Sequence, residues 1–209
     1  MSAPTTASLP SWFGRALVEG TLIVFAVVLG FIVNEWREDV SDRRAAQEAM
    51  GRVAAEIESN IRQLESVVVY HEDVVQLIGE RLAELEAADA PVTGTIFGET
   101  QRIMPRGINA PGLSRFAWNH AQQHGRLDVL PYEIIAETAR VYDMQANGVD
   151  STWRQIVDLL FDGPDVMVEK DLRPPLEFTQ IGFAELASQE RYLIRQQEVL
   201  LERLREEGF

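Results

Sequence analysis

The sequence contains no cysteine, which excludes disulfide bonds and thiolate chemistry. It is also poor in basic residues, because 19 Lys and Arg stand against 33 Asp and Glu, for a formal net charge of −14. So acidic a surface is poorly suited to nucleic acid, and we expect no nucleic-acid partner. No segment alternates polar and apolar residues at period two, so the sequence predicts no sheet.

The linear signatures of catalysis are missing as well. No nucleophile stands beside a base, no glycine-rich loop suits a phosphate, and no pair of carboxylates suggests an acid–base cleft. We therefore predict that the protein is not an enzyme and that it needs no cofactor.

One long apolar stretch organises the rest of the chain. No ionisable residue lies between Gly20 and Asn34, and the segment 15–36 has the length of about 20 residues that a transmembrane helix needs. A cleavable signal peptide would need a basic start, an interfacial helix would need a polar face, and a buried globular helix is the remaining alternative. The sequence predicts a transmembrane helix over 15–36 in the lipid bilayer, after a disordered tail, 1–14.

The residues that flank the stretch predict its ends and its orientation. Trp12 on one side and Trp36 and Arg37 on the other are suited to the two membrane interfaces. One arginine precedes the span, and four follow within about twenty residues. The excess of positive charge after the span places the C-terminal domain in the cytoplasm.

Glu19 is the single acidic residue between Arg15 and Asn34. It can snorkel to the nearby interface. On a helix, however, Ala26 and Gly30 fall on the same stripe as Glu19, and small residues on one stripe favour helix–helix contact. A proton or ion role for Glu19 is the third interpretation.

A long amphipathic helix is predicted over 37–88, where no proline occurs. Its apolar seam runs from Met50 to Leu85, and from Ile61 onward the seam has the 3-4 alternation of a heptad. The pattern leaves open whether the seam packs within the chain or forms a homo-oligomer or partner interface. His71 replaces an apolar residue in it, and we expect a satisfied, partly buried histidine.

The second half of the chain is punctuated by proline and glycine. A loop with at most one turn of helix is predicted over 89–113, a short-helix subdomain over 114–175 and a long C-terminal helix over 176–209. The apolar face of that last helix is formed by Phe178, Phe183, Leu186, Leu193, Leu200 and Leu204. Three short helices are expected. The first is 115–124, capped by Ser114, and the second is 131–146, ended by Gly148. The third is capped by Asp150 or Ser151, runs through Leu160 and is stopped by Gly163 and Pro164. With the two long helices antiparallel to each other, the predicted fold class is all-α.

An island free of acidic residues lies between Glu99 and Asp128. Its arginines can pair with the acidic faces of the long helices, or they can form a docking site for an anionic ligand or partner. They are Arg102, Arg106, Arg115 and Arg126. His120 and His124 have the spacing of two metal ligands, but no third ligand is evident, so we predict no metal site.

The pattern Glu19…Leu29-Gly30…Asn34-x-Trp36-x-Glu38 resembles the membrane anchor of an uncharacterised family of bacterial single-pass proteins with a helical region. The stretch from Ala117 to Tyr142 is similar, more loosely, to the Ala-Trp…Gly…Leu…Tyr pattern of that family's globular part. The resemblance implies the bacterial inner membrane and carries no activity, cofactor or catalytic residue.

Three functional hypotheses follow from the sequence. The first is a membrane-anchored helical scaffold or accessory subunit of an inner-membrane complex. The second is an oligomeric, ion-conducting or force-transducing membrane component that uses Glu19. The third is a sensor that binds an anion through the Arg102–Arg126 island.

Overall fold

The computed structural model describes residues 11–88, 91–161 and 168–209, with side chains from Val18 onward. The described residues are helical almost throughout, which confirms the all-α prediction. The helices are α1 (Ser11–Glu86), α2 (Ile96–Ile103), α3 (Phe116–His124), α4 (Tyr132–Met144), α5 (Asp150–Phe161) and α6 (Arg173–Glu206). The strands β1 (Thr93–Gly94) and β2 (Lys170–Asp171) form one antiparallel pair, which is too short to leave a period-two pattern.

The chain divides into two compact units, residues 1–45 and 46–209. In the first unit, α1 begins at Ser11, four residues before the predicted start of the membrane helix. Its apolar side chains from Val18 to Val33 are exposed. The chain thus has, near its N-terminus, one helix that is long and apolar enough to cross a membrane. The predicted tail lies, over residues 1–10, outside the described residues.

In the second unit, α1 and α6 run antiparallel, as predicted. Three contacts at successive heights fix this direction: Glu58 with Arg205, Glu72 with Arg191, and the Val75 carbonyl oxygen with Gln180. The seam of α1 is buried here, with Met50, Ile57 and Ile78 fully inaccessible. The seam therefore packs within the chain, and its buried positions are not open to a second copy.

The region predicted as a loop over 89–113 contains a helix of two turns, α2. Its start is set by Thr95, whose hydroxyl accepts a hydrogen bond of 3.0 Å from the Gly98 N–H. Ile96 and Ile103, seven residues apart, face the core. The expectation of at most one helical turn was wrong because eight residues are too few to show a repeating apolar pattern.

The break predicted at Gly148 between two helices is also absent. A five-residue π-helical segment, Gln145–Val149, joins α4 to α5 without interruption. Among the described glycines only Gly107 and Gly208 have positive φ, so Gly148 does not adopt the left-handed cap that ends helices. The wider π turn directs both Gln145 and Val149 into the core.

The C-terminal helix begins at Arg173, three residues earlier than predicted, with proline in its first turn. Proline suits this position because its missing N–H would have no partner inside the helix. Of the apolar face predicted for it, Phe183, Leu186, Leu193, Leu200 and Leu204 are buried, whereas Phe178 is exposed. Gly163 and Pro164, predicted to stop the preceding helix, lie outside the described residues.

The buried residues of the second unit form one core that joins all its helices. Its short-helix end includes a parallel stack of the Trp118 and Tyr142 rings, with centroids 5.7 Å apart. Ala121 and Ile134 are buried beside it, and Leu127, Leu130 and Ile135 are half-buried. The residues around Trp118 therefore form one end of the main core.

Candidate functional site

Two groups of hydrogen-bonded polar residues connect helices inside unit 46–209, and the first is centred on Glu56 of α1. One of its carboxylate oxygens accepts hydrogen bonds from the Ser114 hydroxyl at 2.5 Å and the Ala117 N–H at 2.8 Å. The other accepts from the Tyr142 hydroxyl at 2.7 Å and the Trp118 N–H at 3.3 Å. A single carboxylate thus connects α1, α3 and α4.

Glu56 shares the capping role that the sequence suggested for Ser114. The N-cap position of α3 is Arg115, whose side chain makes no capping hydrogen bond. The Phe116 N–H donates a 3.3 Å hydrogen bond to the Ser114 hydroxyl, whereas the Ala117 and Trp118 N–H groups donate to Glu56. A carboxylate is a better cap than a hydroxyl here because its full charge also interacts with the positive end of the helix dipole.

These hydrogen bonds determine the ionisation of both partners. Burial by itself would raise the pKa of the Glu56 carboxyl, but its hydrogen bonds from Ser114, Ala117, Tyr142 and Trp118 outweigh burial, and the net pKa is lowered. Burial, reinforced by the neighbouring Glu56 carboxylate, raises the pKa of the Tyr142 hydroxyl far above its ordinary value. Glu56 is therefore ionised and Tyr142 neutral at physiological pH.

Asn60, one turn further along α1, extends the same group. Its amide exchanges two hydrogen bonds of 2.8 Å with the backbone N–H and C=O of Ser114. The Asn60 amide nitrogen also lies 3.4 Å from the Gln145 side-chain oxygen in the π-helical segment. Together, Glu56 and Asn60 fasten the chain at Ser114, immediately before α3.

The second group is a pair between His71 of α1 and Glu190 of α6. The His71 Nδ1 atom lies 2.9 Å and 3.0 Å from the two carboxylate oxygens, and both side chains are 0% exposed. The rings of Trp153 and Phe183 lie 6.0 Å and 5.6 Å from the imidazole, centroid to centroid. Burial raises the pKa of the Glu190 carboxyl, although the hydrogen bond with His71 acts in the opposite direction.

A histidine beside a carboxylate is a familiar catalytic arrangement, but the surroundings of this pair point to packing. Neither side chain is accessible, so a substrate cannot reach them, and no Ser or Thr hydroxyl is bonded to the His71 ring in the described hydrogen bonds. The expected satisfied histidine of the seam is thus fully buried and paired through one nitrogen. Its other nitrogen, Nε2, has no hydrogen-bond partner in the described chain.

The two histidines at metal-ligand spacing are exposed on α3. Their ring centroids lie 5.0 Å apart, and His120 stacks on the neighbouring Phe116 ring. Within the ranges that the structure describes, no three His, Asp or Glu side chains are grouped as a metal site would require. His120 and His124 are a surface pair on one helix face.

The four arginines of the acid-free island have different surroundings. Arg102 forms an ion pair of 2.6 Å with Glu84 of α1, and the guanidinium of Arg106 lies 4.0 Å from the centre of the Tyr70 ring. Arg115 is half-buried near Asp150 and Tyr142. Arg126 is exposed in a left-handed backbone conformation with φ 51°. Nothing in these contacts shows the four converging on one ligand, and the anion site stays a prediction.

The predicted contact face of the anchor is unobstructed by any of the residues that the structure describes. Glu19, Ala26 and Gly30 are exposed, and nothing lies within 4 Å of where a Cβ of Gly30 would stand. At the other end of the span, the amide of Asn34 donates a 2.7 Å hydrogen bond to Glu38 across one turn. This bond gives a physical reason for the spacing of the Asn-x-Trp-x-Glu pattern.

Two of the three residues predicted at the membrane–water interfaces have described side chains, and both are exposed. Trp36 is 65% exposed, as an interfacial ring requires in the absence of lipid. Arg37 is exposed next to it. The side chain of Trp12 lies outside the described residues.

Comparison of the chain with protein-family models, with curated proteins and with solved structures found no match.

Sequence reasoning missed Glu56, Asn60 and Glu190, which hold the polar groups together. Glu190 had a detectable signal, because it interrupts the apolar stripe of α6 between Leu186 and Leu193. Glu56 and Asn60 had none, because each is adjacent to a seam residue of α1 and reads as part of its polar face. Their partners are 54 to 86 residues away in the sequence.

Proposed function

We propose that this protein is a single-pass protein of the bacterial inner membrane whose helical C-terminal unit is a non-catalytic scaffold or accessory subunit. The observation that carries the proposal is the exposed apolar surface of α1 between Val18 and Val33. About sixteen consecutive residues of mostly apolar surface are far more than a soluble protein leaves uncovered, and a bilayer would bury them.

The cytoplasmic location of the unit 46–209 is supported by the charges that flank the span. Arg37, Arg43 and Arg44 follow it closely and are all exposed, whereas only Arg15 precedes it. The bacterial inner membrane is supported by the resemblance of the anchor pattern. Both assignments are parts of the proposal.

The non-catalytic role is supported by the way the polar groups are used. The Glu56 group caps a helix and fastens a loop, and the His71–Glu190 pair has no accessible atom. These side chains stabilise one arrangement of the helices. A rigid helical body on a membrane tether is suited to holding a partner at the bilayer, and because the α1 seam is buried, that partner would contact the outer surface of the unit.

The experiment is a fractionation combined with a labelling test that the absence of native cysteine makes clean. The full-length chain should sediment with membranes, resist extraction by alkaline carbonate and dissolve in detergent. A membrane-impermeant maleimide applied to spheroplasts should label the Ser2→Cys variant and should label Glu207→Cys only after lysis. Full-length protein in the soluble fraction would contradict the anchor, and the reverse labelling pattern would contradict the orientation.

A further inference from the structure

The outer face of α6 carries a second heptad pattern that the chain itself does not cover. From Phe178 to Glu202, the residues spaced alternately three and four positions apart are all exposed. Its apolar members include Phe178, Ile181 and Val199, which are 65%, 65% and 64% exposed. A seam of this spacing is what one helix presents to another, and it extends for about 36 Å at 1.5 Å per residue.

This seam forms one side of a groove whose other side is α4 and α5. Near the start of α6 the groove is lined by Leu159, Ile181 and Glu185, and further along by Tyr192 and Arg195. Thr152 and Gln189 form a 2.8 Å hydrogen bond across the groove between these two parts. An apolar groove between two helices is the shape that an amphipathic helix fills.

The charges that line the groove change sign between Glu185 and Arg195, and the seam of α6 ends beyond them at the exposed Glu202. Glu185 is the charged residue of its lining at the α5 end, whereas Arg195 and Arg140 line the α4 end. The other two charged residues there, Arg203 and Glu137, neutralise each other in an ion pair of 3.2 Å. A complementary helix would therefore carry a basic side chain opposite Glu185 and an acidic one opposite Arg195, about ten residues apart on its apolar stripe.

We propose that this groove, named here the α5–α6 groove, binds an amphipathic helix of a partner protein with that charge pattern. The proposal deepens the scaffold function proposed above and rests on it, since it assigns the scaffold its docking surface. A second copy paired in parallel along this groove would oppose Glu185 to Glu185 and Arg195 to Arg195.

The test uses the full-length chain in detergent and three designed helical peptides with leucine at the heptad positions. Each peptide has one position that faces Glu185 and a second that faces Arg195. In that order, the first peptide carries Lys and Glu (Lys/Glu), the second carries Lys at both positions (Lys/Lys), and the third carries Glu at both (Glu/Glu). Two peptides with like charges are needed as controls because a peptide with exchanged charges can bind in the reverse direction. Fluorescence anisotropy should show the Lys/Glu peptide binding about fivefold more tightly than either control.

Variants of the chain then locate the site. Ile181→Glu with Val199→Glu should weaken binding of the Lys/Glu peptide at least tenfold, whereas Val69→Glu, at an exposed valine of α1, should not. Arg195→Glu should shift the preference to the Lys/Lys peptide. Circular dichroism of each variant establishes that a loss of binding is not a loss of folding.

Several results would overturn the proposal. One is no peptide binding, and another is binding that Val69→Glu weakens as much as the groove variants do. Preference of the wild type for Lys/Lys would indicate attraction to the overall acidic surface. A dimer mass in light scattering that Ile181→Glu reduces to a monomer would make a second copy the occupant. Failure of the membrane fractionation would leave the peptide result unchanged, so the two proposals fail separately.

Discussion

The carboxylate of Glu56 accepts a 2.7 Å hydrogen bond from the Tyr142 hydroxyl, and the two residues are 86 positions apart in the chain. The same carboxylate accepts hydrogen bonds from the N–H groups of Ala117 and Trp118 in the first turn of α3. Glu56 of α1 thus caps α3, although the two lie far apart in the sequence. In doing so it fixes how α3 and α4 pack on α1.

Replacing Glu56 by Gln should destabilise the protein by about 2 kcal/mol at pH 7, because the charge is lost and an amide N–H faces the backbone donors of α3. Urea denaturation followed by circular dichroism measures the free energy of unfolding. Glu65→Gln, at an exposed position of the same helix, is the matched control and should change it by less than about 0.5 kcal/mol. Equal effects of the two substitutions would contradict the capping role.

The effect of Glu56→Gln should also depend on pH. The folded-state pKa of Glu56 is lowered from 4.5, so its contribution to stability is present above pH 4.5 and lost as the pH falls through the folded-state pKa. The stability difference between wild type and variant should therefore shrink as the pH falls below 4.5. A difference that stays constant over this range would show that the charge of Glu56 contributes nothing.

His71 and Glu190 should show strong coupling in a double-mutant cycle. Either single substitution, His71→Leu or Glu190→Leu, leaves a buried polar partner unpaired and should cost about 3 kcal/mol. The double variant replaces the pair by apolar side chains and should be destabilised by less than the sum, with a coupling energy above about 1 kcal/mol. Thermal and urea unfolding of the four proteins check this, and additive effects would contradict a direct interaction.

Gly125 and Gly51 should respond in opposite directions to alanine. A Cβ at Gly125 would stand 2.5 Å from the Ala121 carbonyl oxygen and 3.0 Å from the Ala49 Cβ, so α3 would have to move from α1. Gly125→Ala should therefore destabilise by about 1–3 kcal/mol. Gly51 lies inside α1 with nothing within 4 Å of its Cβ position, so Gly51→Ala should stabilise by about 0.5–1 kcal/mol. Melting temperatures that shift in the same direction would contradict this reading of α3 packing.

Gln197 and Asn60 form a similar contrast among buried amides. Gln197 is fully buried, and neither its nitrogen nor its oxygen has a hydrogen-bond partner in the described chain. Gln197→Leu should therefore raise the melting temperature, because the cost of burying a polar group disappears. Asn60→Leu removes two hydrogen bonds of 2.8 Å to Ser114 and should cost about 2 kcal/mol. Differential scanning calorimetry of the two variants compares them, and a loss of stability in Gln197→Leu would contradict the prediction.

The sequence by itself determined the class of fold, the membrane-compatible helix and the course of both long helices. These features follow from composition and from apolar spacing sustained over tens of residues. Each such pattern lies within one segment and can be recognised without knowing which other segments contact it. His71 in the seam and the arginine island were also visible in the sequence, but their partners were not.

Only the tertiary structure decided where the seam packs, what caps α3 and how α4 joins α5. Each of these depends on groups that are far apart in the chain. Glu56 meets α3 only because α1 passes beside it, and the π-helical segment avoids a break at Gly148 while directing Gln145 and Val149 into the core. For the same reason, the residues predicted as one apolar face of α6 are partly buried and partly exposed. Phe183 is buried because other helices cover its side, whereas Phe178 is exposed beside α5. Apolar spacing indicates that a helix face will be covered, and only the packed fold shows which other helix covers it.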